Sequence, residues 1–182
     1  HAEALDDAEH GDAILAATEK LATMGTRARR IDHLMSKDRQ PTTVDLADRI
    51  ETVLDEIETD DAIIKTSVPD DATVVTDAET LTIVLRSPLE NAVTHADSSV
   101  VISIESTESG CTIEISDDGP GIPSAELNSL AAEHETQLQH SRGLGLWELK
   151  WGVDKLDGDL SFVTEDGTTV MRQLPALDTA DF

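Results

Sequence analysis

Apolar residues recur along the chain in two rhythms, and each change of rhythm marks an element. Ile14, Ala17, Leu21, Met24, Ala28, Ile31 and Met35 are spaced by alternating steps of three and four. This heptad seam predicts a helix from Asp12, a suitable N-cap, to about Lys37, ending before Gln40-Pro41. Residues 1 to 8 read as the last turns of an earlier helix, broken near His10-Gly11. Little chain precedes the seam to supply a partner, so a two-stranded or four-helix association is expected, with packing on the rest of the same chain as the alternative.

Past a hinge at Pro41-Thr42-Thr43 the rhythm shortens. Val44 to Leu46 reads as a short strand and Leu46 to Ile57 as an amphipathic helix. Strands at Ile63 to Val68 and Thr73 to Val75 lead, through Thr76-Asp77 as a cap, into a helix from Ala78 to about Ala96, which Pro88 should kink. Strands follow at Val100 to Glu105 and Cys111 to Ser116, turned at Ser109-Gly110. Residues 123 to 141 are polar, weakly patterned and rich in Glu, His and Gln, and read as a mobile connection. A helix from Leu144 to about Leu156 precedes a closing hairpin, Asp159 to Thr164 and Thr168 to Leu174. This order predicts an α+β fold, one sheet with helices on one face.

Composition narrows the function. With 38 acidic and 13 basic residues the net charge is -25, which repels nucleic acid and anionic membrane surfaces. The acids are interleaved with apolar periodicity, so they describe a solvated surface rather than a disordered tract. Such surfaces suit proteins working in concentrated salt, where charges are screened within about 3 Å at 1 M, and loss of structure at low salt is expected. One cysteine, Cys111, excludes a disulfide framework and reads as a small apolar residue. No apolar run is long enough to span a bilayer and no signal peptide opens the chain, so a cytoplasmic location without direct membrane contact is expected.

The chemistry centres on Asp117-Asp118-Gly119-Pro120-Gly121-Ile122. A strand ending in an acid and two alternate glycines lets a flat ligand lie against bare backbone, and Asp117 is placed to accept a hydrogen bond from an exocyclic amine. A Gly-Pro hairpin turn is the competing reading. Asn91 and His95 share a helix face, and an amide oxygen is a hard ligand of the kind that holds Mg²⁺ with phosphate; a helix-end cap is the alternative. Ser141-Arg142-Gly143-Leu144-Gly145-Leu146 opens a helix, whose N-terminus and arginine fork suit an anion. Gly167-Thr168-Thr169-Val170 reads by itself as a turn.

In their order and spacing these four stretches resemble the N, G1, G2 and G3 boxes of the GHKL superfamily, the ATP-binding domains of sensor histidine kinases, over about residues 42 to 175. The resemblance implies a two-layer α/β sandwich, the Bergerat fold, holding ATP under a lid at residues 123 to 141. It implies Asn91 as the Mg²⁺ ligand and His95 as a phosphate contact. Asp117 would bind the adenine amino group, with Gly119, Gly121 and Ile122 shaping the base pocket. Arg142, Gly143, Leu144, Gly145 and Leu146 would hold the phosphates, and Thr168 would lie near the base. The chain departs from the family pattern at Ser87 and Thr94, at Ser141, and in lacking lid phenylalanines.

The same resemblance makes residues 1 to 40 part of a dimerisation and histidine-phosphotransfer hairpin and residues 41 to 182 the kinase domain. A homodimer through the N-terminal helix and a response regulator as phosphoryl acceptor are then the expected partners. Neither His1 nor His10 is suitably placed as phosphoacceptor, so that histidine is expected upstream. His33, His134 and His140 read as surface residues. A glutamate base four residues before Asn91, as in the superfamily's serine kinases and hydrolytic ATPases, is replaced by Ser87. The alternative is a degenerate module that dimerises and only senses nucleotide.

Overall fold

A computed structural model describes residues 17, 18, 21, 22, 24–26, 28–35, 40–57, 62–69, 71–107, 110–131, 144–164 and 167–175. The chain divides into two compact units, His1–Lys37 and Asp38–Phe182. In the first, the described residues are helical, with residues 28–35 the longest continuous stretch (α1). Of the heptad seam, Leu21 and Met35 are 68% and 67% exposed, and Ala17, Met24 and Ala28 are exposed as well. Ile14 and the turn at His10-Gly11 lie outside the described residues.

The second unit is built on a five-stranded sheet in the order β2-β4-β5-β7-β6. Its strands are β2 (Ile63–Ser67), β4 (Ser99–Thr107), β5 (Gly110–Asp117), β6 (Asp159–Val163) and β7 (Thr168–Pro175). Among the described residues only the β2–β4 pair is parallel. A separate antiparallel pair joins β1 (Pro41–Asp45) to β3 (Thr73–Asp77). Helices α2 (Leu46–Asp55), α3 (Ala78–His95) and α5 (Leu144–Lys155) cover one face of the sheet.

The periodicity explains the layers. Cys111, Ile113 and Ile115 alternate inward on β5 and meet Leu81, Val84, Leu85 and Leu89 of α3, with Leu149 and Val153 of α5 completing the core. Leu46, Ile50 and Val53 form the buried stripe of α2. Val101, Val163 and Met171 are exposed. Burial pushes the Cys111 thiol up to about 11, so it stays protonated and packs as a small apolar residue. Among the described residues no helix is long and apolar enough to cross a membrane.

The predicted cap is present: Asp77 accepts from the amide of Thr80 at 2.8 Å and also from that of Gln40 at 2.9 Å. Two expectations need correction. Pro41-Thr42-Thr43 is not a hinge but the start of β1, paired with Val75–Asp77; a proline is tolerated at a strand's first residue because its missing N–H breaks no internal ladder bond. Within the stretch read as a mobile connection, Ser124–Ala131 forms a helix, α4. The carbonyl of Pro123 accepts from Glu126 and Leu127, and Leu130 is buried. Residues 132–141 lie outside the described residues.

Candidate nucleotide-binding site

Three segments meet where β5 ends. Asp117 pairs with Thr168, the first residue of β7, and its Oδ1 accepts from the amide of Gly119 at 3.0 Å. Burial raises the Asp117 pKa, against the lowering effect of hydrogen bonds from Gly119 and Thr168 and of the nearby charge of His95. His95, the last residue of α3, thus belongs to the same corner. A carboxylate offers about four acceptor positions, so these bonds leave Asp117 capacity for a ligand donor.

The glycines here have a more internal reason than the bare-backbone reading supplies. A Cβ on Gly119 would lie 2.1 Å from the carbonyl oxygen of His95, and one on Gly167 would lie 2.1 Å from that of Asp117. What approaches these backbones is the chain's own backbone, which ties the end of α3, the loop after β5 and the β6–β7 turn together. Gly121 and Gly167 also take positive φ, 79° and 124°, where side chains are strained. Ile122 is half-buried beside them.

Asp118 has partners of its own. Its carboxylate accepts from the amides of Ser98 and Ser99 at 2.9 and 3.0 Å, from the Ser99 hydroxyl at 3.2 Å and from the Ser98 hydroxyl. Those bonds, the Ser98 side chain's foremost, hold its carboxyl well below the usual carboxylate range. The α3–β4 connection is thereby fixed to the loop that carries Asp117.

Midway along α3, Ser87 is buried and its hydroxyl donates to the carbonyl of Gly145 at 2.7 Å. A Cβ on Gly145 would stand 3.2 Å from Ser87 Oγ and 3.8 Å from Asn91 Nδ2. Asn91 therefore sits against the first turn of α5. Leu146 is buried, and Trp147 and Trp151 stand with ring centroids 5.7 Å apart. Leu144 begins α5, while Arg142 and Gly143 lie outside the described residues. Glu90, next to Asn91, has its carboxylate 3.9 Å from Arg86. Among the described residues no group of three His, Cys, Asp or Glu side chains gathers as a metal cage.

The structure brings His95, Asp117, Gly119 and Thr168 together where β5 ends, with Gly121 close to Gly167, and it sets Asn91 close to Gly145 in the first turn of α5. Sequence reasoning missed the Asp118 clamp and the Ser87–Gly145 bond. The first had a signal in the Ser98-Ser99 pair after a helix end; the second, spanning 58 residues, had none.

The chain is similar in structure to the Acinetobacter baumannii histidine kinase AdeS, at 18% identity and TM-score 0.72, over 92% of this chain and 84% of that one. It is also similar to the mycobacterial sensor histidine kinase MprB, at 24% identity and TM-score 0.62, over 75% and 97%. Full-length ShkA, solved in complex with AMPPNP, aligns at 17% identity and TM-score 0.68, over 89% of this chain and 37% of that one. At these identities the likeness shows the fold. No curated protein sequence matches. Residues 76–178, more than half of the chain, match the family model for histidine kinase-, DNA gyrase B- and HSP90-like ATPases, and the chain belongs to that family.

Proposed function

We propose that this chain is the ATP-binding catalytic portion of a two-component sensor histidine kinase. It holds Mg-ATP and presents the γ-phosphoryl group to a histidine on a dimerised helical hairpin. The observation that carries the reading is Asp117: a half-buried carboxylate at a strand end, held by Gly119 and Thr168 with acceptor capacity left over. That is the chemistry an adenine amino group requires. The α5 N-terminus, with Gly145 and Leu146 and the adjoining Arg142, Gly143 and Leu144, offers a helix-dipole site for phosphates. Bound Mg²⁺ neutralises phosphate charge during transfer. Asn91 supplies one hard oxygen, so the ion would arrive with the phosphates that complete its shell.

Ser87 and Glu90 argue against the hydrolytic and serine-kinase branches of the family. The position four before Asn91 carries a hydroxyl bonded to Gly145, and Glu90 lies alongside Arg86. Neither is a free general base. The exposed Leu21, Met24 and Met35 of the heptad seam support homodimerisation, with a response regulator downstream.

Calorimetric titration with ATP and Mg²⁺ in high salt tests the reading. Wild type should bind, and Asp117→Asn should abolish binding with unchanged circular dichroism and unchanged dimer. An absence of heat with wild type would leave only a dimerising module.

A further inference from the structure

On β7 the inward positions are Thr168, Val170, Arg172 and Leu174, and one of them is out of character. Arg172 is fully buried at the centre of the sheet, opposite Ile113 on β5 and Leu160 on β6. Its Nη1 donates to the main-chain carbonyl of Val84 in α3, while Nε and Nη2 have no hydrogen-bond partner among the described residues. A buried guanidinium this poorly satisfied costs stability, and an apolar residue of similar volume would serve the core better. Its presence calls for a reason beyond packing.

The reason lies in α3. In an α-helix the amide of residue i donates to the carbonyl of residue i−4. Pro88 stands inside α3 and has no N–H, so the Val84 carbonyl loses its helical donor in a fully buried stretch. Arg172 supplies the missing donor from the sheet. Val84 and Asn91 are seven residues apart, two turns along one helix face, and His95 follows one turn later. Arg172 lies four residues along β7 from Thr168, the partner of Asp117.

We propose that Pro88 and Arg172 form a positioning staple. It sets the distal half of α3, with Asn91 and His95, at a fixed distance from the strand ends that carry Asp117 and Thr168, and so fixes the span of the nucleotide site. Arg172 acts through α3 and touches no ligand. The inference rests on the nucleotide-binding reading above.

The test separates position from stability. Arg172→Met removes the donor and should weaken ATP binding by about tenfold or more, as small misplacements of binding groups do, while lowering the melting temperature. Arg172→Lys, which keeps a donor, should recover part of both. Pro88→Ala/Arg172→Met restores an amide for Val84 and removes the buried cation, so its melting temperature should return to wild type or above. Its ATP affinity should stay weak, because the distal half of α3 is then set by an ordinary helix instead of by the strand. Wild-type affinity in the double variant, or in Arg172→Met, would reduce Arg172 to a structural role. A double variant that fails to fold would overturn the pairing of Pro88 with Arg172 through Val84. If wild type itself binds no ATP, the nucleotide reading fails and the staple's purpose with it.

Discussion

The two ends of the candidate site are joined by opposite means. At the base end, backbone meets backbone: Gly119 against the carbonyl of His95 and Gly167 against that of Asp117, each too close to admit a Cβ. At the proposed phosphate end, α3 packs on α5 through side chains, with Ser87 donating its hydroxyl to the carbonyl of Gly145. Backbone contact has no rotamer to adjust, so it fixes Asp117, the carboxylate proposed to read the base. A hydroxyl bond can lengthen or be replaced by water, which would suit the proposed phosphate end, where substrate and product would differ. The comparison predicts unequal tolerance to substitution.

The largest effect is expected at Gly167. Alanine there must take φ near 124° and place its Cβ 2.1 Å from the Asp117 oxygen, adding backbone strain to overpacking. The combined cost is ~3 kcal/mol or more. Chemical denaturation of Gly167→Ala should show that loss, and calorimetry should show no nucleotide binding in whatever folds. A variant of near wild-type stability would mean that the β6–β7 turn yields easily and that the base end is no stiffer than the other.

The same contrast governs what the sequence revealed. Elements with strict local rhythm were legible: the inward Cys111, Ile113 and Ile115 of β5, the Leu46, Ile50 and Val53 stripe of α2, the Asp77 cap. His95, Asp117 and Thr168, which the resemblance of order and spacing to a family pattern had singled out, do meet at one corner. Contacts made across the fold were not legible. Nothing near Pro41 announces its pairing with Asp77, and neither the Ser87–Gly145 bond nor the Arg172–Val84 bond, 58 and 88 residues apart, has a local signature. The glycines were found for an incomplete reason, since a sequence shows that a side chain is missing but not what occupies its place.

A smaller effect is expected at Ser87. Ser87→Ala removes the donor to Gly145 and leaves a buried carbonyl without it, which costs about 1 kcal/mol. If the phosphate end is the adjustable one, affinity for ATP should fall a few-fold while affinity for adenosine is unchanged. Equal losses for both ligands would show that the two ends are rigidly coupled through α3.

The smallest effect is one of pH, and it falls inside the base end, between neighbouring carboxylates. Asp117 has its pKa raised above 3.8 by burial, so its contribution to stability stands at low pH and is lost as pH rises through the raised value. At neutral pH the fold carries an ionised Asp117 at some cost, which a ligand amine bonded to it offsets. Asp118 is shifted the other way by Ser98 and Ser99, so its contribution stands above the ordinary aspartate range and is lost only as pH falls through its depressed value. On acidification Asp117 should therefore protonate first, removing the acceptor for the base while the Asp118 clamp still holds the loop. Carboxyl-carbon NMR of the two residues should show titrations on opposite sides of an ordinary aspartate, free of the nucleotide's own ionisation. Coincident titrations would mean that Asp117 and Asp118 share one environment, and the division between a ligand-facing and a loop-holding carboxylate would fall.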